Sequence, residues 1–130
     1  MSGELGRLLI VDDEKDFARF VTIVAGEVGY SVRAVDSCAG VEFELSEWHP
    51  TVVFLDVFMP DRDGPELLGT LERHAYSGHV VMMSGADSLY LNMAAASAKA
   101  RGLHLSAILT KPCRKQEVQD LLATLTAAPL

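Results

Sequence analysis

Five short apolar runs alternate with stretches whose apolar residues recur at helical spacing, and no other feature narrows the possible folds of this chain so far. "LLIV" (8–11), "VRAV" (32–35), "VVFL" (52–55), "VVMM" (80–83) and "AIL" (107–109) read as strands. Their length and mostly two-sided hydrophobicity suit a parallel sheet covered on both faces. Between them, Phe17, Phe20, Val21, Val24 and Val28 form one helical stripe that ends near Gly29. Val41, Leu45 and Trp48 form a second, stopped by Pro50. Leu67, Leu68 and Leu71 form a third, and Val118, Leu121, Leu122 and Leu125 the last. The Ala-rich segment 88–101 is also helical, with Gly102 as its stop. A strand–helix unit repeated five times folds, through right-handed crossovers, into an open doubly wound α/β sheet.

Size agrees with one domain over residues 1–130, with residues 1–6 and 127–130 expected as flexible ends. A hydrophobic fraction of 49% with 22% charged residues is that of an ordinary globular protein. The net charge of −7 offers no basic stripe to neutralise phosphates, so direct nucleic-acid binding is not expected. No apolar run approaches the ~18 residues of a membrane span, and "MSGELGRLLIVDD" has no signal-peptide pattern, so a cytoplasmic location without membrane contact is expected. Cys38 and Cys113 belong to no metal-type spacing and are expected as unpaired, partly buried thiols. His49, His74, His79 and His104 are scattered and suggest no metal site.

In open α/β sheets, chemistry gathers outside the carboxyl ends of the strands. Asp12, Asp13 and Glu14 follow the first strand, Asp56 the third, Ser84 and Gly85 the fourth, and Thr110, Lys111 and Pro112 the fifth. Strand 2 is followed by "DSC" (36–38), which reads as a helix N-cap. Carboxylates converging at ~4 Å repel by on the order of 4 kcal/mol per pair at an effective dielectric near 20. Such a cluster persists only with counter-charge. Lys111 supplies one positive charge, and a hard divalent cation with oxygen ligands, Mg²⁺, supplies the rest. Lys111 and the Ser84 hydroxyl then remain available for phosphoryl oxygens, with Asp56 as the carboxylate nucleophile.

These residues and their spacing resemble the receiver domain of bacterial two-component response regulators. "IVDDE", "FLDVFMPDRDG", "MMSG" and "LTKP" carry the resemblance across essentially the whole chain. It implies a flavodoxin-like strand order 2-1-3-4-5. It also implies Asp56 as phosphoacceptor, Asp13 as a direct Mg²⁺ ligand, and Asp12 holding the metal at least partly through water. The main-chain carbonyl of Phe58 would complete the protein ligands. Ser84 would be the switch hydroxyl, with Lys111 as ionic partner of the phosphoryl group and a cis bond before Pro112. Pro60, Asp61, Asp63 and Gly64 are expected to shape the loop and cap the next helix.

The implied partners are a sensor histidine kinase or histidine phosphotransfer protein, and a downstream protein or fused output domain. The donor would dock at the start of helix 1 (Lys15, Asp16, Arg19) and around Pro112 and Arg114. A homodimer would use the face of helix 4, strand 5 and helix 5. The chain would be a phosphoacceptor assisting its own phosphorylation and dephosphorylation, not a conventional enzyme. It would act alone or as a module of a longer protein.

Three departures from the family pattern carry expectations. Ile108 stands where the family usually has Tyr or Phe, so it is expected as a core strand residue, with output through the loop after strand 4. The chain between Ser84 and Lys111 is longer than usual, with the surplus in helix 88–101 or in "RGLHLS" (101–106). Phe58 and Ala86 cannot orient a hydrolytic water by hydrogen bonding, which predicts a long-lived phosphorylated state. Two alternatives compete: a pseudo-receiver adaptor that never takes phosphate, and a haloacid-dehalogenase-like phosphohydrolase. The second needs an acid two residues after the nucleophile, where Phe58 stands.

Overall fold

The structure, a computed structural model, describes residues 5–57, 64–85 and 88–127. Its elements alternate strictly: β1 (Gly6–Val11), α1 (Lys15–Val28), β2 (Tyr30–Val35), α2 (Cys38–Glu47), β3 (Val52–Asp56), α3 (Gly64–Arg73), β4 (His79–Ser84), α4 (Ser88–Ala100), β5 (His104–Thr110) and α5 (Lys115–Ala127). All strand pairs are parallel, in the order β2-β1-β3-β4-β5. The expected five-stranded doubly wound sheet and its order are both present.

Strand alternation divides the core in two. Leu8, Ile10, Phe54, Val81 and Met83 pack on one face with Val21 and Val24 of α1 and Val118 and Leu122 of α5. Leu9, Val11, Val53, Leu55, Val80 and Met82 pack on the other with Val41 of α2, Leu67 and Leu71 of α3, and Ala98 of α4. Each fully buried aliphatic side chain contributes roughly 1.5–3 kcal/mol of transfer free energy. Central β3 is buried along its whole length, which is why its apolar run lacks alternation.

Helix ends follow local chemistry. Ser37 caps α2, its Oγ accepting from the Gly40 N–H at 3.0 Å. Gly29 ends α1 in the left-handed region at φ 116°, and Gly102 follows α4 at φ 77°. Among the described residues no helix is long and apolar enough to cross a membrane.

Two expectations need correction. The fifth strand is longer than its apolar run: β5 starts at His104 rather than at Ala107 and takes in residues 104–106. Leu105 pairs with Val80 and Ala107 with Val81, leaving Ser106 as an extra residue in a bulge. Its Oγ meets His79 Nδ1 at 2.5 Å. Ile108 is not a core residue: it pairs with Met82 but is 43% exposed. β5 is an edge strand, and strand hydrophobicity alone does not reveal which end of an edge its neighbouring helix leaves uncovered.

Candidate functional site

The βα turns bring the acids together at one rim of the sheet. β1 and β3 are neighbours, so the residues that follow Val11 and Leu55 emerge side by side. Asp12 and Asp56 are each only 4% exposed, whereas Asp13 faces solvent. One carboxylate oxygen from each of Asp12, Asp13 and Asp56 lies within 4.8 Å of the others.

Lys111 reaches this cluster from the end of β5. Its peptide bond to Pro112 is cis, as expected, and its backbone N–H donates to the Ser84 carbonyl at 2.8 Å. The Lys111 ammonium lies 2.7 Å from Asp12 Oδ2 and 2.7 Å from Glu14 Oε1. It donates to Asp56 Oδ2 at 3.0 Å. The Phe17 ring covers the ammonium, 4.6 Å from Nζ to its centroid. Burial pulls the Lys111 pKa down, but contacts with Asp12, Glu14 and Asp56 outweigh it and hold the amine above the ordinary lysine range. Asp12 moves the other way from most paired acids. Its burial raises its pKa, despite the opposing Lys111 contact and the Glu14 N–H.

The donor set fits a hard divalent cation. Asp12 Oδ1 accepts the Glu14 N–H at 2.8 Å, whereas the buried Oδ2 has the Lys111 ammonium, 2.7 Å away, as its one partner among the described residues. Oδ2 therefore keeps lone-pair capacity toward the cluster. Three oxygen donors carrying three formal charges suit Mg²⁺, which keeps several waters and needs few protein ligands.

Asp12, Asp13, Asp56 and Lys111 are thus brought together. Ser84 is buried at the same rim, one residue past Met83, the register partner of Asp56. Phe58, Pro60, Asp61, Asp63 and Ala86 lie outside the described residues. Sequence reasoning missed two participants. In the sequence Phe17 is only part of a helical stripe, and Glu14 follows β1 with no role marked for it. No local signal marks either, because both act on a lysine nearly a hundred residues away.

A cavity of about 500 Å³ lies far from these acids, among Tyr30, His49, His74, Tyr76 and His79. It holds no carboxylate, and burial pushes the Tyr76 phenol up, leaving it neutral at physiological pH. Chemistry rather than volume singles out the acidic rim.

Fold and rim together define a class: a doubly wound α/β domain with a carboxylate–lysine cleft at its strand ends. The response regulator receiver domain profile matches residues 8–123, and the chain belongs to that family, whose members serve two-component phosphorelay signalling. Protein PilG of Pseudomonas aeruginosa is 28% identical over 115 residues, covering 86% of this chain and 81% of PilG. The nitrogen assimilation regulatory protein NtrX of Azorhizobium caulinodans is 34% identical over 90 residues, 68% of this chain but 20% of NtrX. The uncharacterized transcriptional regulatory protein YkoG of Bacillus subtilis is 31% identical over 127 residues, 96% of this chain and 51% of YkoG. The chain therefore spans a fifth of NtrX and about half of YkoG. Among solved structures, a response regulator from Colwellia psychrerythraea superposes with a TM-score of 0.80 at 25% identity, covering 95% of this chain and 98% of that one.

Proposed function

We propose that the chain receives a phosphoryl group on Asp56 from a histidine kinase or histidine phosphotransfer protein. The observation that carries this reading is the Lys111 ammonium, 2.7 Å from Asp12 and 3.0 Å from Asp56, bridging acids from two strand ends. Asp12, Asp13 and Asp56 would hold Mg²⁺, which when bound supplies positive charge against the phosphoryl oxygens. The main-chain carbonyl of Phe58 is the proposed further ligand.

An Asp56 carboxylate oxygen attacks phosphorus, a P–O bond forms, and the P–N bond to the donor imidazole breaks with its electron pair leaving on nitrogen. Lys111 holds a phosphoryl oxygen through Nζ, and the Ser84 hydroxyl donates to another. Burial of Asp56 limits water access to the acyl phosphate.

Lys15 and Arg19 line a groove of about 440 Å³ beside Asp12, which supports donor docking along the start of α1. Met93 on α4 and Ile108 on β5 are 64% and 43% exposed, which supports an output or self-association surface there. With Ile108 in place of an aromatic ring, the output signal travels through the segment after β4.

Incubation with Mg²⁺ and acetyl phosphate tests the reading by intact mass. The expected result is a gain of one phosphate, absent in Asp56→Asn. A chain that gains no mass, or a variant that gains as much as the parent, excludes Asp56 as the acceptor.

A further inference from the structure

Glu14 occupies the N-cap of α1, yet its side chain makes no capping hydrogen bond. Its Oε1 instead meets Lys111 Nζ at 2.7 Å, across 97 positions of sequence. An ammonium has three protons, and here it faces three acceptors: Asp12 Oδ2, Glu14 Oε1 and Asp56 Oδ2. A phosphoryl group arriving on Asp56 needs one of those donor directions. The three acids differ in what release would cost. The Asp12 side chain is fully buried, and losing the ammonium would leave an uncompensated charge in the interior. Asp56 itself carries the incoming group. Glu14 is 63% exposed, so water replaces the ammonium at little cost.

We propose that Glu14 is a positioning residue that holds Lys111 at the rim before phosphorylation and competes with the phosphoryl group for it. This rests on the phosphoacceptor role of Asp56. Glu14 thereby stabilises the unphosphorylated state relative to the phosphorylated one. Its backbone reinforces the arrangement, because the Glu14 N–H donates to Asp12 Oδ1 at 2.8 Å and fixes where its side chain starts. Two effects would favour a phosphoryl group when Glu14 is neutralised: release of Lys111, and plain loss of a nearby negative charge. Asp16, exposed in the first turn of the same helix and without a Lys111 contact, separates them.

The test is calorimetric titration of the chain with fluoroberyllate, a phosphoryl mimic, in saturating Mg²⁺. Wild type, Glu14→Gln, Glu14→Ala and Asp16→Asn are compared after circular dichroism establishes that each is folded. Both Glu14 variants are expected to bind the mimic at least about threefold more tightly, and Asp16→Asn to shift clearly less. Equal tightening in Asp16→Asn would mean that charge alone acts, and would overturn the proposal. So would unchanged or weaker binding by both Glu14 variants while wild type binds, a result that leaves the role of Asp56 standing. Absence of binding by wild type would overturn both readings.

Discussion

Lys111 shows how a single residue can set the ionisation of a site. Its ammonium stays charged against burial because Asp12, Glu14 and Asp56 surround it, yet burial still keeps the Asp12 pKa raised. Two residues on, Cys113 reports the same crowded surroundings. Burial first, then the charge of Glu117, pushes its thiol above the ordinary range, with Lys111 opposing. In a Cys38→Ser chain, the pH midpoint of Cys113 alkylation by iodoacetamide should lie above that of the denatured protein. A midpoint at or below the denatured value would contradict this. A thiol whose folded pKa is raised contributes its full share of stability below the unfolded pKa. That share is lost as pH rises through the folded pKa.

At the level of elements, the two sheet edges are finished differently. On β2, Arg33 lies over the Trp48 ring at 4.7 Å and pairs with Glu44 at 2.7 Å, which covers part of an otherwise open strand. On β5, the Ser106 bulge disturbs the ladder and Ile108 stays exposed. Tyr30, at the start of β2, fastens the end of α5. Its buried hydroxyl lies 2.7 Å from Thr126 Oγ1 and 3.2 Å from the Leu122 carbonyl. Tyr30→Phe should therefore cost about 1 kcal/mol, read as a lower urea midpoint at unchanged m-value. A midpoint within error of wild type would show that these bonds add nothing over solvent.

Across the whole molecule, the acidic rim is a strain that the two apolar layers sustain. Asp12, Glu14 and Asp56 share one lysine, and Asp13 adds a further carboxylate beside Asp12 and Asp56, so cation binding should stabilise the entire fold. At a hundred times its Kd, Mg²⁺ should add about 2.7 kcal/mol to unfolding. For a domain of this size that raises Tm by about 10 °C. Chelation with EDTA should reverse the rise, and Asp13→Asn should diminish it. An identical melting curve with and without Mg²⁺ would remove the cation from the account of the rim.

Much of this was legible from residue order, for a physical reason. Strand and helix periods differ, and covering a parallel sheet on both faces demands uninterrupted apolar runs such as 52–55. Residues at strand ends must emerge at one rim, so Asp12, Asp56, Ser84 and Lys111 could be named together in advance. The order 2-1-3-4-5 came from family resemblance, since periodicity says nothing about which strands are neighbours. Only the folded chain decided which acids share the ammonium, that Phe17 covers it, that Ser106 bulges and that Ile108 stays in water. Those outcomes depend on distances between segments far apart in sequence and on how completely one element shields another. Local composition carries neither quantity.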